Sequence, residues 1–99
     1  MILNVESENK VYTIKISGRI DTLTAPMLQS EFEKIEADAD KVIFDMNEVE
    51  YISSAGMRVI VAVHRAMAPK DGLVLRNLTK NVRTIINLTG FNKVLNIEE

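Results

Sequence analysis

Two adjacent serines are the residues most suggestive of chemistry in this sequence. Ser53 and Ser54 lie in Tyr51-Ile52-Ser53-Ser54-Ala55-Gly56-Met57-Arg58, where small residues stand between an apolar stretch and a helical pattern. A serine at such a place can accept from the free N–H groups of the first helical turn. The helix dipole makes the same end attractive to negative charge. A phosphate on Ser54 would meet those donors, and Ala55 and Gly56 would not crowd it. The same residues also suit a plainer arrangement, with Ser54 as an N-cap and Gly56 as a packing residue.

Other constellations are incomplete. His64 is the single histidine and the chain has no cysteine, so neither a cysteine–histidine pair nor a thiolate metal site can be assembled. Its place within an apolar helix suits a boundary residue. The four glycines, at 18, 56, 72 and 90, form no dinucleotide fingerprint and no phosphate-binding loop. Asp45 after one apolar run and Asp21 after an earlier one could form a metal-assisted aspartyl phosphoacceptor. A receiver domain of that kind needs an adjacent acidic pair and five strand–helix repeats, whereas this chain opens on a hairpin.

These residues must be positioned by alternating elements. Ile2, Leu3 and Val5 form a first strand. Tyr12, Ile14 and Ile16 alternate with polar residues in a second, which Gly18 ends. Arg19 to Leu23 makes a connection. A helix then begins at Thr24, with Thr24 as its cap, Pro26 in its first turn and Leu28, Phe32, Ile35 and Ala39 at helical spacing. Lys41 to Met46 reads as a strand covered on both faces, and Asn47 to Glu50 as a turn. A second helix runs from about Ser54 to Ala68 and stops at Pro69 and Gly72. Its wheel places Val59, Ile60, Val63 and Met67 on one side and Arg58, Ala62 and Arg65 on the other. Met57 and Val61 fall between, which allows a small apolar patch, edged by Arg58, that docks a partner beside Ser54. Leu73 to Leu75 forms a strand. Thr79 caps a third helix carrying Val82, Ile85, Ile86 and Thr89, and Gly90 stops it. Val94, Leu95 and Ile97 complete the order β-β-α-β-α-β-α-β, an α/β fold with a mixed sheet.

Composition narrows the function classes. The 99 residues are expected to form one domain, 1–99. Twelve basic against fourteen acidic residues, with 5% aromatics, argue against nucleic acid as a partner. No apolar run is long enough for a membrane helix, and the first residues lack a signal-peptide pattern, so a cytoplasmic location is expected.

Three segments, in order and at consistent spacing, resemble STAS domains, specifically the single-domain bacterial anti-sigma factor antagonists. Asp45-Met46 through Ser53-Ser54-Ala55-Gly56-Met57 is similar to their strand ending in Asp-Leu, followed by turn residues and Asp-Ser-x-Gly-Leu opening a helix. Gly18-Arg19-Ile20-Asp21 resembles their Gly-x-Leu-Asp loop. Leu88-Thr89-Gly90-Phe91-Asn92-Lys93-Val94 resembles the turn before their last strand.

The resemblance implies a STAS fold and an anti-sigma factor antagonist without catalytic residues or cofactor of its own. Its implied partner is an anti-sigma factor that is also a serine kinase and supplies ATP and magnesium, with a phosphatase to reverse the reaction. Ser54 maps onto the phosphorylated serine, and Asp21 onto the loop aspartate beside it. Ser53 departs from the family aspartate, removing a charge and adding a second hydroxyl. Ala55, Gly56, Met57 and Arg58 fall in the implied partner-binding segment. Two alternatives stand beside this reading: a STAS scaffold subunit of another regulatory or transport assembly, and an aspartyl phosphoacceptor at Asp45.

Overall fold

Asn9 and Lys10 both adopt positive φ, 52° and 65°, the backbone that a two-residue hairpin needs to match the twist of its strands. In the computed structural model, which describes residues 1–98, they join β1 (Ile2–Glu8) to β2 (Val11–Ile20) in an antiparallel pair. The chain continues through α1 (Ala25–Ile35), β3 (Lys41–Ile52), α2 (Ser54–Met67), β4 (Leu73–Arg76) and α3 (Lys80–Thr89). A 3₁₀ turn (Phe91–Lys93) then leads to β5 (Asn96–Ile97).

The five strands lie in the order β1-β2-β3-β4-β5, and every pair after the hairpin is parallel. Right-handed crossovers between strands in sequential order place the three helices over the same face of the sheet. The side-chain register agrees. Ile14, Phe44 and Leu75 stand opposite one another and are fully buried beneath the helices, with Leu28 and Phe32 of α1, Ile60 and Val63 of α2 and Val82 and Ile86 of α3.

β3 differs from the sequence expectation in two ways. Its second face is not covered by helices: Ile43 is shielded instead beside Thr13 and Val74 in register, and its neighbours Lys41 and Asp45 are only half-buried. Asn47 to Glu50 is also strand rather than turn. β2 runs past Gly18 to Ile20, and β3 follows it, carrying an extra residue between Asp45 and Glu48 and another between Val49 and Tyr51. Gly18, at φ +101°, sits beside the second of these irregularities, a backbone position that suits glycine.

The ends of other elements also shift. Thr24 precedes α1, but its side chain does not cap the helix. Ala39 lies beyond α1 yet is fully buried, and Lys70 Nζ donates to the carbonyls of Glu36 and Ala39 at 2.8 and 2.7 Å, closing the C-terminal end of α1. The last strand is shorter than expected, because Val94 follows the 3₁₀ turn and is exposed while Leu95 enters the core. At α3 the expected signals operate. Thr79 Oγ1 accepts from the Val82 N–H at 3.3 Å, and Gly90 takes the left-handed conformation at φ +79°.

Candidate functional site

The extension of β3 decides where the two serines fall. As the chain leaves β3, the Ser53 N–H donates to the Ile20 carbonyl at 2.8 Å, tying the end of β3 to the end of β2. Ser53 is extended, with φ −85° and ψ 176°, and its Oγ accepts from the Gly56 N–H at 3.2 Å. Ser53, and not Ser54, is therefore the N-cap of α2. The registry follows from Ile52: burying it at the end of β3 makes Ser53 the last non-helical residue.

Ser54 becomes the first residue of the helix. Its side chain is exposed, and among the described residues its hydroxyl makes no hydrogen bond. Gly56 faces inward. A Cβ built there would meet the Ile20 carbonyl oxygen at 2.6 Å, Ile20 Cγ2 at 2.8 Å and Ile52 Cγ2 at 2.9 Å. Gly56 thus serves close packing of α2 on the strand ends, rather than leaving space at the Ser54 hydroxyl.

Asp21 directly follows the β2 residue that Ser53 is bonded to. Its Oδ1 accepts from the Leu23 N–H at 3.0 Å, the Thr24 N–H at 3.1 Å and Thr24 Oγ1 at 3.1 Å. Thr24 Oγ1 also accepts from the Asp21 N–H at 2.8 Å and lies 2.6 Å from the Arg19 carbonyl. The Thr24 hydroxyl is consumed by this knot, which explains why it does not cap α1. The Thr24 N–H in particular, with the Thr24 hydroxyl, the Leu23 N–H and Arg19 in support, holds the Asp21 carboxyl below its ordinary range. Arg19 Nε lies 3.8 Å from Asp21 Oδ2, and its guanidinium stacks 4.5 Å from the centre of the Tyr51 ring. Leu23, held between Asp21 and Thr24, is 84% exposed.

Beside Ser54 lies a concavity of about 670 Å³ between α2 and the end of α3. Met57 and Val61 line it, with Tyr51, Ile85, Thr89 and Phe91 around them and Arg58 and Arg65 along α2. Met57 is 4% and Val61 7% exposed, Met57 as part of the hydrophobic core. Arg58 and Arg65 are exposed, and neither takes part in an ion pair or side-chain hydrogen bond among the described residues. Ala55 is half-buried against the core.

The structure brings Ser53, Ser54, Met57 and Arg58 to one groove, with Asp21 near its end but outside its lining. The amphipathic pattern of α3 carried a signal for Ile85 and Thr89. Nothing in the pattern marked Phe91 or the stacking of Arg19 on Tyr51. Asp45 and Asp21 do not form a pair. Asp45 stands opposite Lys15, six residues before Asp21 on the neighbouring strand, a separation on the order of 20 Å. Asp45 Oδ1 instead accepts from the Asn47 N–H and Asn77 Nδ2, and no metal-binding cluster occurs among the described residues. His64 is half-buried, with Nδ1 unpartnered.

The STAS domain model matches residues 3–99, and the chain belongs to that family. An anti-sigma-B factor antagonist of Staphylococcus aureus is 24% identical over 103 aligned positions, covering 100% of this chain and 95% of that protein. The crystal structure of an anti-sigma factor antagonist from Mycobacterium paratuberculosis superposes with a TM-score of 0.87 at 27% identity, over 97% of this chain and 83% of the other. The Bacillus cell fate determinant SpoIIAA in its phosphorylated form shares the fold, with a TM-score of 0.75 at 13% identity over 99% and 92% of the two chains.

Proposed function

We propose that this chain is an anti-sigma factor antagonist whose binding is switched by phosphorylation of Ser54. The observation that carries the reading is the different engagement of the two serines. The Ser53 oxygen is committed to the cap of α2, whereas the Ser54 hydroxyl is exposed and without a hydrogen bond. A kinase can take Ser54 without opening the helix. The named relatives support the antagonist role, and a phosphorylated form is known for SpoIIAA.

In this reading, a cytoplasmic anti-sigma factor with serine kinase activity docks over the N-terminus of α2, the Asp21 knot and exposed Leu23, and supplies ATP and magnesium. Residues 1–99 act as one binding module and as substrate, not catalyst. Docking sequesters the anti-sigma factor and frees its sigma factor. Phosphorylation adds roughly −1.5 to −2 charges at the centre of that surface, which the partner must then desolvate. A phosphatase resets the module. The fold tolerates the charge because it lies at the positive end of α2.

Titration calorimetry with the partner tests the switch. Ser54→Asp is expected to bind roughly five- to 150-fold more weakly than wild type, from a cost of about 1 to 3 kcal/mol for a poorly compensated buried group. Ser54→Ala is expected to bind regardless of kinase treatment. Equal affinities for all three folded proteins would contradict the switch.

A further inference from the structure

Arg58 stands one helical turn after Ser54, and both line the same groove. Helical side chains lean toward the N-terminus, so an arginine at i+4 reaches back over residue i. An anionic group at i with a cation at i+4 is also the favourable order along the dipole. Arg58 is exposed and is not committed to a carboxylate or carbonyl among the described residues. We propose that Arg58 is the cation that receives the phosphate of a phosphorylated Ser54, forming a latch across the mouth of the groove. The proposal rests on the reading of Ser54 as phosphoacceptor.

The charged groups around that phosphate favour Arg58 over the alternatives. On α2, Arg65 lies eleven residues after Ser54, about 16 Å along the axis. At the end of β2, Arg19 is already held by Asp21 and by the Tyr51 ring, and the Asp21 carboxylate itself repels a phosphate. α3 and the turn after it line the groove with Ile85, Thr89 and Phe91, none of them charged. The Arg58 guanidinium can present two parallel N–H donors to phosphate oxygens, which a lysine cannot. The latch turns Arg58 back by one turn across the mouth of the groove, so modification alters the surface offered to a partner as well as its charge.

The test uses the full chain with phosphoserine incorporated genetically at position 54, so that no kinase is needed. Phosphorus NMR then follows the second ionisation of the phosphate with pH in the wild type, Arg58→Gln and Arg65→Gln backgrounds. A paired guanidinium favours the dianion, so the wild-type phosphate is expected to titrate lower than in Arg58→Gln by about half a pH unit, roughly a threefold change in proton affinity. Arg65→Gln is expected to follow the wild type. Arg58 is exposed, so its replacement leaves the core intact. As a second readout, the Arg58 side-chain N–H signal is expected to shift between the unmodified and phosphorylated wild type. Superimposable titrations for wild type and Arg58→Gln, or an unmoved Arg58 signal, would overturn the latch. So would an Arg65→Gln effect equal to that of Arg58→Gln. Failure of a kinase to label Ser54 would remove the proposed function instead, an outcome distinct from any of these.

Discussion

Replacing Gly56 by alanine sets two effects of opposite sign against each other. Alanine is the better helix former, worth up to about 1 kcal/mol over glycine in a helix interior and less in the first turn, where Gly56 lies. Its Cβ, however, would lie 2.6 Å from the Ile20 carbonyl oxygen and under 3 Å from methyl groups of Ile20 and Ile52. The carbonyl cannot rotate away, because it also accepts the Ser53 N–H at 2.8 Å. Overpacking a tight core costs about 1 to 3 kcal/mol, and a backbone contact puts this site near the upper end. The net expectation is a loss of about 2 kcal/mol. For a chain of this size, that lowers the melting temperature by roughly 8 to 16 °C, and the urea midpoint by about 1 to 2 M. Thermal and urea unfolding followed by circular dichroism would measure both. Stability equal to or above wild type would refute the close packing of α2 on the ends of β2 and β3.

The cap assignment separates the two serines. Ser53→Ala is expected to cost about 1 kcal/mol of stability by urea unfolding, and Ser54→Ala close to nothing; the reverse order would move the cap to Ser54. Asp21 ionises below its ordinary value of 3.8 in the folded chain, so it contributes stability above that value that is lost as pH falls through the folded value. Acid unfolding of Asp21→Asn should accordingly show a shallower pH dependence below the ordinary carboxylate value than wild type, and parallel curves would show that the carboxylate is not held by the knot. The same variant is expected to slow phosphorylation of Ser54 more than it lowers stability, measured by initial rates with the kinase; unchanged rates would confine Asp21 to a structural role.

Local signals in the sequence located most elements. Thr79 and Gly90 bracket α3 because capping and left-handed glycine geometry depend on neighbouring residues alone. Pairing was less visible. Asn47-Glu48-Val49-Glu50 has the composition of a turn, yet it is strand because β2 offers unpaired backbone as far as Ile20 and β3 absorbs two extra residues to follow it. That pairing set the helix registry and moved the cap from Ser54 to Ser53. The helix wheel placed Met57 and Val61 at a margin; both are buried, Met57 within the core, and the groove they line takes its other wall from α3 and the turn after it, whose position no local pattern encodes. Thr24 has the type of a cap, but its hydroxyl is taken by Arg19 and Asp21.

The central claim is that Ser54, free at the start of α2, accepts a phosphate while Ser53 remains its cap. Site-resolved mass spectrometry after incubation with the cognate kinase, ATP and magnesium tests it most directly. A single phosphate on Ser54, abolished in Ser54→Ala and retained in Ser53→Ala, is the expected result. Phosphate on Ser53 that persists in Ser54→Ala would contradict it.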